Sequence, residues 1–218
     1  MLKKTKICFV LFLLFFIIGY ANNQSTGAPE SSTGAPSERT CASSNCHDDN
    51  ILNFKNGKID LVFESNNTSE SKIVNGVILS DNVYNLNISI NQKKIERFGF
   101  QLVALNDSGE SVGNFILMDS NRTQLQKGLD KFINREYVTY TYLGTIADSV
   151  GYKSWDLKWH SPKSIKGSIK FYLACLSGNK DLTDKGDYVY TMTRNFTMVD
   201  VICEINENDN KNLLLNLK

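Results

Sequence analysis

Two cysteines and a histidine stand close together near the beginning of the chain, in the order Cys41-Ala-Ser-Ser-Asn-Cys46-His47. In the attachment motif for c-type haem, two thiols bond covalently to the porphyrin and the histidine that follows ligates the iron. That motif has two residues between its cysteines, whereas this chain has four. A disulfide at Cys41 and Cys46 is the alternative, because disulfides are common in exported domains. The wider spacing favours the disulfide, and haem c stays open as a cofactor.

A haem held by His47 would take a second axial ligand from elsewhere in the chain. His160 is the only other histidine, and strand alternation places it on the outer face, opposite Trp155 and Trp159. An exposed histidine at a strand end is the alternative interpretation of this candidate distal ligand. Tyr140 is a further candidate, and so are three methionines, although a methionine in a strand more often fills the core. These are Met118, Met192 and Met198.

Two more cysteines occur late in the chain. Cys175 has the inward parity of Phe171 and Leu173, and Cys203 has that of its valine neighbours. The candidates for disulfide formation are therefore four cysteines: Cys41, Cys46, Cys175 and Cys203. Four cysteines permit two disulfides, but the sequence does not fix which residues pair. Buried thiols are the alternative for the late pair.

The sequence contains no arrangement typical of an enzyme or a metal site. Two histidines without a cluster of thiols or carboxylates do not make a closed metal site. There is no Gly-x-Ser-x-Gly element and no phosphate-binding glycine loop. Cys46 and His47 are adjacent, which points their side chains apart rather than toward each other as a catalytic dyad requires. We therefore expect no catalytic residues and no bound metal.

The first 21 residues have the composition of a secretory signal peptide. Three lysines precede a short apolar run that ends at Gly19-Tyr20-Ala21, and this run is shorter than a transmembrane helix needs. We expect cleavage after Ala21, with an uncleaved anchor as the alternative. Cleavage leaves 21 basic and 23 acidic residues, a net charge of −2. This charge gives no basic surface for nucleic acid, and the predicted location is secreted, periplasmic or on the cell surface.

The remaining chain divides by composition into three parts. Residues 22–40 repeat the sequence Ser-Thr-Gly-Ala-Pro and offer little apolar surface, which predicts a flexible, solvated linker. Residues 41–203 form the predicted domain. Residues 204–218 are rich in asparagine and charge, and we expect a loose polar tail.

Alternation of apolar and polar residues predicts that the domain is all-β. Period-two patterns cover 59–63, 84–90, 98–104, 155–159 and 169–175, with turn-forming residues between them. Seven to eight short strands with this spacing are typical of an immunoglobulin-like antiparallel β-sandwich. A short helix or helical turn is expected within 124–134.

An ordered set of motifs resembles a known family, the bacterial choice-of-anchor V domain. That domain is similar to the reelin (reeler) domain, an immunoglobulin-like sandwich. The motifs are Gly34-Ala35-Pro36, Thr40-Cys41, Cys46-His47, Phe98-Gly99-Phe100-Gln101-Leu102, Trp155 with Trp159 and Pro162, Phe171-Tyr172, and Gly186-Asp187-Tyr188-Val189-Tyr190-Thr191. The resemblance runs from Gly34 to Met198.

The sequence departs from that family at two places. The family has a compact Cys-x-x-Cys-His near its start, and this chain has two additional residues between the cysteines. The family also has a His-Thr pair in mid-domain, where this chain has Tyr140-Thr141. We expect an exported, non-catalytic surface or periplasmic binding or adhesion module with a reeler-like β-sandwich, and an extracellular or envelope protein or a glycan as its partner. The alternative is a single-haem c-type electron-transfer or haem-binding domain that uses Cys41, Cys46 and His47.

Overall fold

The computed structural model describes residues 26–43, 46–54, 56–65, 76–165, 167–181 and 183–199. The predicted signal peptide, the polar tail and Cys203 lie outside these residues. The described strands are β1 (Gly57–Ser65), β2 (Val77–Leu79), β3 (Val83–Gln92), β4 (Arg97–Asn106), β5 (Asn114–Leu117), β6 (Thr123–Lys127), β7 (Glu136–Tyr140), β8 (Tyr152–His160), β9 (Ser168–Gly178) and β10 (Tyr188–Val199). Two 3-10 turns, Asp130–Phe132 and Leu143–Thr145, complete the regular structure of this part of the chain.

The strands form two sheets, which confirms the predicted all-β sandwich. The four-stranded sheet has the order β1-β3-β8-β5, and the six-stranded sheet has the order β2-β10-β9-β4-β7-β6. Neighbouring strands are antiparallel except β2, which pairs in parallel with β10. There are more strands than the seven to eight predicted, because β2, β5 and β6 are only three to five residues long. Strands of that length are too short to show a period.

The main core lies between the two sheets, where the predicted alternation is confirmed. In β3 and β8 every second residue is buried, so Leu86 faces inward beside Leu157 and Ile88 beside Trp155. Aromatic rings join the two sheets: the ring centroids of Phe100 and Trp155 are 4.7 Å apart. Burial of this apolar surface provides most of the stabilisation of such a sandwich.

β4 departs from the alternation, because eight consecutive residues of this strand are buried. Its inward residues belong to the main core, whereas its outward residues lie under the chain that precedes β1. Val103, Leu105 and Tyr137 pack there with Ala35 in a second, smaller cluster. The six-stranded sheet is therefore covered on both faces near its middle.

Residues 26–40, which we call the N-terminal segment, provide that cover. The sequence predicts a solvated linker over 22–40, but within this segment Ala28, Ser32 and Ala35 are almost fully buried. The prediction fails because these side chains are small and polar enough to resemble a linker, while the surface that buries them is assembled from distant strands. Hydrogen bonds from the sheet satisfy much of the segment's backbone.

The region 124–134 is only partly helical. β6 takes Thr123–Lys127 into the edge of the six-stranded sheet, and the helical turn expected here is the three-residue Asp130–Phe132. Within the described residues, no helix has the length and apolar character needed to cross a bilayer.

Candidate functional site

A cavity of about 350 Å³ lies between the N-terminal segment and the outer face of the six-stranded sheet. Gly99 of β4 and Leu176 of β9 line it from the sheet, and they are direct partners in the strand register. Ala28 and Pro29 line it from the segment. This volume lies within the usual range for small-ligand sites.

The candidate residues of the cysteine–histidine motif meet at this cavity. Cys41, Cys46 and His47 all line it, and so does Tyr140, which is more than 90 residues away in sequence. The structure therefore brings together the motif and the tyrosine that stands where the resembling family has a histidine. No disulfide bond is present among the described cysteines, and a pairing of Cys41 with Cys46 stays a prediction.

Tyr140 reaches the cavity because β4 has a glycine beneath its ring. A Cβ atom at Gly99 would lie 2.5 Å from Cε1 of Tyr140, which is closer than real contacts allow. A glycine at this position lets the ring lie flat against the strand. The phenol is 7% exposed, and burial raises its pKa well above the usual value for tyrosine. Its hydroxyl is therefore neutral at physiological pH.

The Cys41 thiol is also held in its neutral form. Burial, and to a smaller extent the nearby Cys46, raises the pKa of Cys41 to about 11. A partly buried thiol with a raised pKa is a poor nucleophile, because the thiolate is the reactive species. Cys41 therefore matches a packing or attachment role better than a catalytic one.

His47 is positioned by a buried carboxylate. Its Nδ1 atom lies 2.7 Å from Oδ2 of Asp187, whose side chain is 4% exposed. Asp187 is itself fixed, because the backbone N–H of Asn179 donates to its Oδ1 at 2.8 Å and Asn50 donates to its backbone carbonyl at 2.9 Å. Nδ1 faces Asp187 at ion-pair distance without hydrogen-bond geometry, and Nε2 is the ring nitrogen that remains for a ligand. A histidine oriented by a carboxylate is a frequent arrangement at metal and haem sites.

The other sequence candidates are elsewhere in the fold. His160, the candidate distal haem ligand, is at the end of β8, where its Nε2 atom lies 3.0 Å from Oδ1 of Asp81. Its partly exposed position agrees with the outer face expected from alternation, and the residues that line the cavity do not include it. Met118 is exposed, and Met192 and Met198 pack against the main core. None of these residues reaches the site.

Cys175 lies on the core side of β9, opposite the cavity. It is fully buried beside Phe100, and burial raises the pKa of its thiol strongly. Cys175 is therefore a buried thiol, which is the predicted alternative to a disulfide. No group of three or more histidine, cysteine or acidic side chains with metal-binding geometry occurs in the part of the chain that the structure describes.

Sequence reasoning missed two residues of this site. Asp187 stands in a turn-like Lys-Gly-Asp sequence that indicates a solvated loop, yet it is buried and faces His47. Gly99 stands between two phenylalanines in a strand, and glycine within a strand often marks a close approach of other atoms. That signal was available, but the identity of the approaching residue depends on the fold.

Comparisons with known proteins give similarity of fold only. No protein-family model matches the sequence, and no curated protein matches it. A cohesin module from a family 33 glycoside hydrolase of Clostridium perfringens has a TM-score of 0.43 and 9% identity, covering 66% of this chain and 97% of that module. A non-cellulosomal cohesin from Archaeoglobus fulgidus has a TM-score of 0.33 and 12% identity, covering 62% and 90%. These values are too low to carry any inference about function.

Proposed function

We propose that this chain is an exported, non-catalytic binding module whose ligand site is the cavity at Cys41, Cys46, His47 and Tyr140. The observation that carries the proposal is the cavity of about 350 Å³ in which these four side chains meet. Burial holds the Cys41 thiol and the Tyr140 phenol in their neutral forms. Neither group therefore has the pKa near the working pH that nucleophilic or acid–base chemistry needs. Arg39 and Asp184 add charged groups to the lining of the cavity.

A macromolecular partner is supported by the surface beside the cavity. Ile51 is 78% exposed and Phe54 is 40% exposed, a few residues after His47. The Phe54 ring stacks on Tyr188 at a centroid distance of 6.0 Å. Exposed aromatic and aliphatic side chains next to a cavity are typical of surfaces that contact a protein or a glycan.

The test is a binding screen with a variant that fills the cavity. The wild-type protein is screened against a panel of soluble glycans and purified envelope proteins, and affinities are measured by titration. Leu176→Trp should weaken binding of any ligand at least tenfold, because the larger ring occupies the cavity. Ile116→Trp is the matched control, since it makes a similar change on the outer face of β5, where Ile116 is 42% exposed.

Two results would count against this function. One is chemical conversion of a bound ligand during the titration. The other is equal affinity of the wild-type and Leu176→Trp proteins for the ligand.

A covalently attached haem is the second candidate, and one observation favours it. Two thiols and an imidazole line one cavity, and Asp187 orients that imidazole with Nε2 available. This donor set fits a c-type haem, with Cys41 and Cys46 as attachment points and His47 as an axial ligand. A bound haem would supply one-electron transfer. Tyr140 would lie beside it as a neutral phenol, because its raised pKa disfavours ligation as phenolate.

Haem attachment is tested by producing the protein in a host that attaches c-type haem. A covalent haem gives a mass increase and a colour that survives extraction with acid and organic solvent. Cys41→Ser and Cys46→Ser should each weaken that resistance, and His47→Ala should shift the absorption spectrum. His160→Ala is the control and should leave the spectrum unchanged. A colourless protein of unmodified mass would exclude haem and leave the Cys41–Cys46 disulfide to be tested by thiol labelling.

A further inference from the structure

The first part of the N-terminal segment is held by side chains of the sheet rather than by strand pairing. Gln101 of β4 has no exposed surface and contacts the segment twice. Its Oε1 atom accepts from the backbone N–H of Ser32 at 2.7 Å, and its Nε2 atom donates to the carbonyl of Pro29 at 3.0 Å. One buried amide therefore satisfies two backbone groups of an extended stretch of chain.

Neighbouring side chains bind the backbone of Ala28 in the same way. The Ala28 N–H donates to Oγ1 of Thr139 at 3.1 Å, and its carbonyl accepts from Nε2 of Gln126 at 3.0 Å. Gln124 donates to the carbonyl of Thr26. The amides of Gln101 and Gln126 are themselves hydrogen-bonded at 2.9 Å, which fixes how each is oriented. The side chains of Gln101, Gln124, Gln126 and Thr139 come from three strands and form a polar face that hydrogen-bonds to the peptide backbone of the segment.

The packing around this face selects small residues. Gly27 has a φ of 145°, and a Cβ atom there would lie 2.8 Å from Nε2 of Gln124. Ala28 is 3% exposed and lines the cavity, so a charged side chain at this position would be taken out of water. Pro29 is exposed. The sheet contacts this residue through its backbone carbonyl, which accepts from Gln101, so a proline without an N–H group can occupy the position. The face therefore fits an extended Gly-Ala-Pro peptide.

The second Ser-Thr-Gly-Ala-Pro sequence, residues 32–36, and the residues that follow it hold the segment by different contacts. Thr33 and Thr40 close a turn through an isolated bridge, and Ala35 packs in the smaller cluster. The carboxylate of Glu38 binds Arg135 and Tyr137 at 2.5 and 2.6 Å. Residues 33–40 can therefore stay attached to the sheet while residues 26–32 leave it.

We propose that Gln101, Gln124, Gln126 and Thr139 form a receptor site for an extended Gly-Ala-Pro peptide, and that its partner is residues 26–32 of a second copy of this chain. The occupant is set by complementarity, since the contacts within one chain are the contacts that the same segment of another chain would make. The chain's own segment competes at a high effective concentration. Exchange between copies is therefore favoured when that segment is displaced. Ala28, Pro29 and Ser32 also line the cavity, so exchange of the segment would exchange one wall of the proposed ligand site.

The test uses the full chain with the Ala28→Arg substitution, which prevents the segment from occupying its own site. A fluorescent peptide of residues 24–33 is titrated with this variant and with the wild type, and anisotropy is measured. We expect at least tenfold tighter binding to Ala28→Arg, because the internal competitor is removed. Adding Gln101→Ala should weaken that binding at least tenfold. Lys127→Ala is the matched control on β6, because its side chain contacts Glu136 instead of the segment.

A second variant and a second measurement keep the proposal testable if Ala28→Arg does not fold. Ser32→Pro removes the N–H that donates to Oε1 of Gln101, and it should also increase peptide binding. In native mass spectrometry, mixing the wild type with Ala28→Arg should give heterodimers that Gln101→Ala abolishes. Absence of peptide binding to both folded variants would overturn the receptor site, as would equal binding of a peptide with arginine in place of alanine. Peptide binding without heterodimers would overturn the second copy as partner.

Discussion

Replacing Arg135 by methionine should destabilise the protein strongly, because it leaves a buried charge without its counter-ion. The side chain of Glu38 has no exposed surface, and that of Arg135 is 10% exposed. Removing one partner of a buried ion pair typically costs about 3 to 5 kcal/mol. Arg135 also donates to the carbonyl of Gly109 at 3.0 Å and lies over the Phe132 ring at 4.4 Å. We expect a loss near the upper end of that range.

The remaining contacts of Glu38 do not replace the arginine. Tyr137 and Thr33 donate to its carboxylate at 2.6 Å each, but both hydroxyls are neutral. Burial and the bond to Glu38 raise the pKa of Tyr137 above its usual value, so this phenol keeps its proton. Hydrogen bonds to a charged group contribute about 1.5 to 3 kcal/mol each, but Tyr137 and Thr33 already make these bonds in the wild type, so they add nothing when the counter-ion is lost.

The assay is equilibrium unfolding in urea, followed by tryptophan fluorescence at neutral pH. Arg135→Met and Glu38→Gln are each compared with the double variant Glu38→Gln/Arg135→Met, in which the uncompensated charge is also removed. The double variant should recover about 2 kcal/mol or more of the loss, which a double-mutant cycle measures as coupling energy. A loss below about 1 kcal/mol for Arg135→Met, or strictly additive effects, would refute the buried pair.

Three further predictions concern the core, the surface and the candidate site. Trp155→Ala should cost about 3 to 5 kcal/mol because a buried aromatic is removed, whereas thermal unfolding of His160→Ala should match the wild type. The hydrogen bond from Lys170 lowers the pKa of Asp107, so its stabilising effect is complete above about pH 4 and is lost as the pH falls further. Asp107→Asn should therefore lower the melting temperature at neutral pH and lower it less in acid. Alkylation of Cys41 should accelerate about tenfold per pH unit until its pKa of about 11, and a rate that is already maximal at pH 8 would contradict its burial.

The sandwich was predictable from sequence where strands are long and one face meets the core. The alternation in β3 and β8 identifies their inward residues, and Trp155 and His160 lie on the sides that it predicts. The burial of Ala28 and Ala35 was not predictable, because alanine, glycine and proline carry little hydrophobic signal. It depends on amide side chains such as Gln101 that only the folded sheet brings together.

The residues of the cysteine–histidine motif were predictable from sequence, but their position in the fold and their spatial neighbours were not. Cys41, Cys46 and His47 were identified by type and spacing, and the structure shows that they share a cavity with Tyr140. The partner of His47 was not predictable, since Asp187 belongs to a loop that looks solvated in the sequence. Long-range pairs of this kind follow from strand order, which a single sequence does not encode in any local pattern.

The two-sided cover of the six-stranded sheet has a consequence for local opening. β4 and β9 are each paired on both sides, and Val103 and Ala174 on their outward face have no exposed surface. Amide hydrogens in such strands exchange with deuterated solvent only when the whole domain unfolds. Amides of the three-residue edge strand β2 need only a local opening to exchange. β4 and β9 should therefore be the most protected stretch of the chain, and their exchange rates should report the global free energy of unfolding.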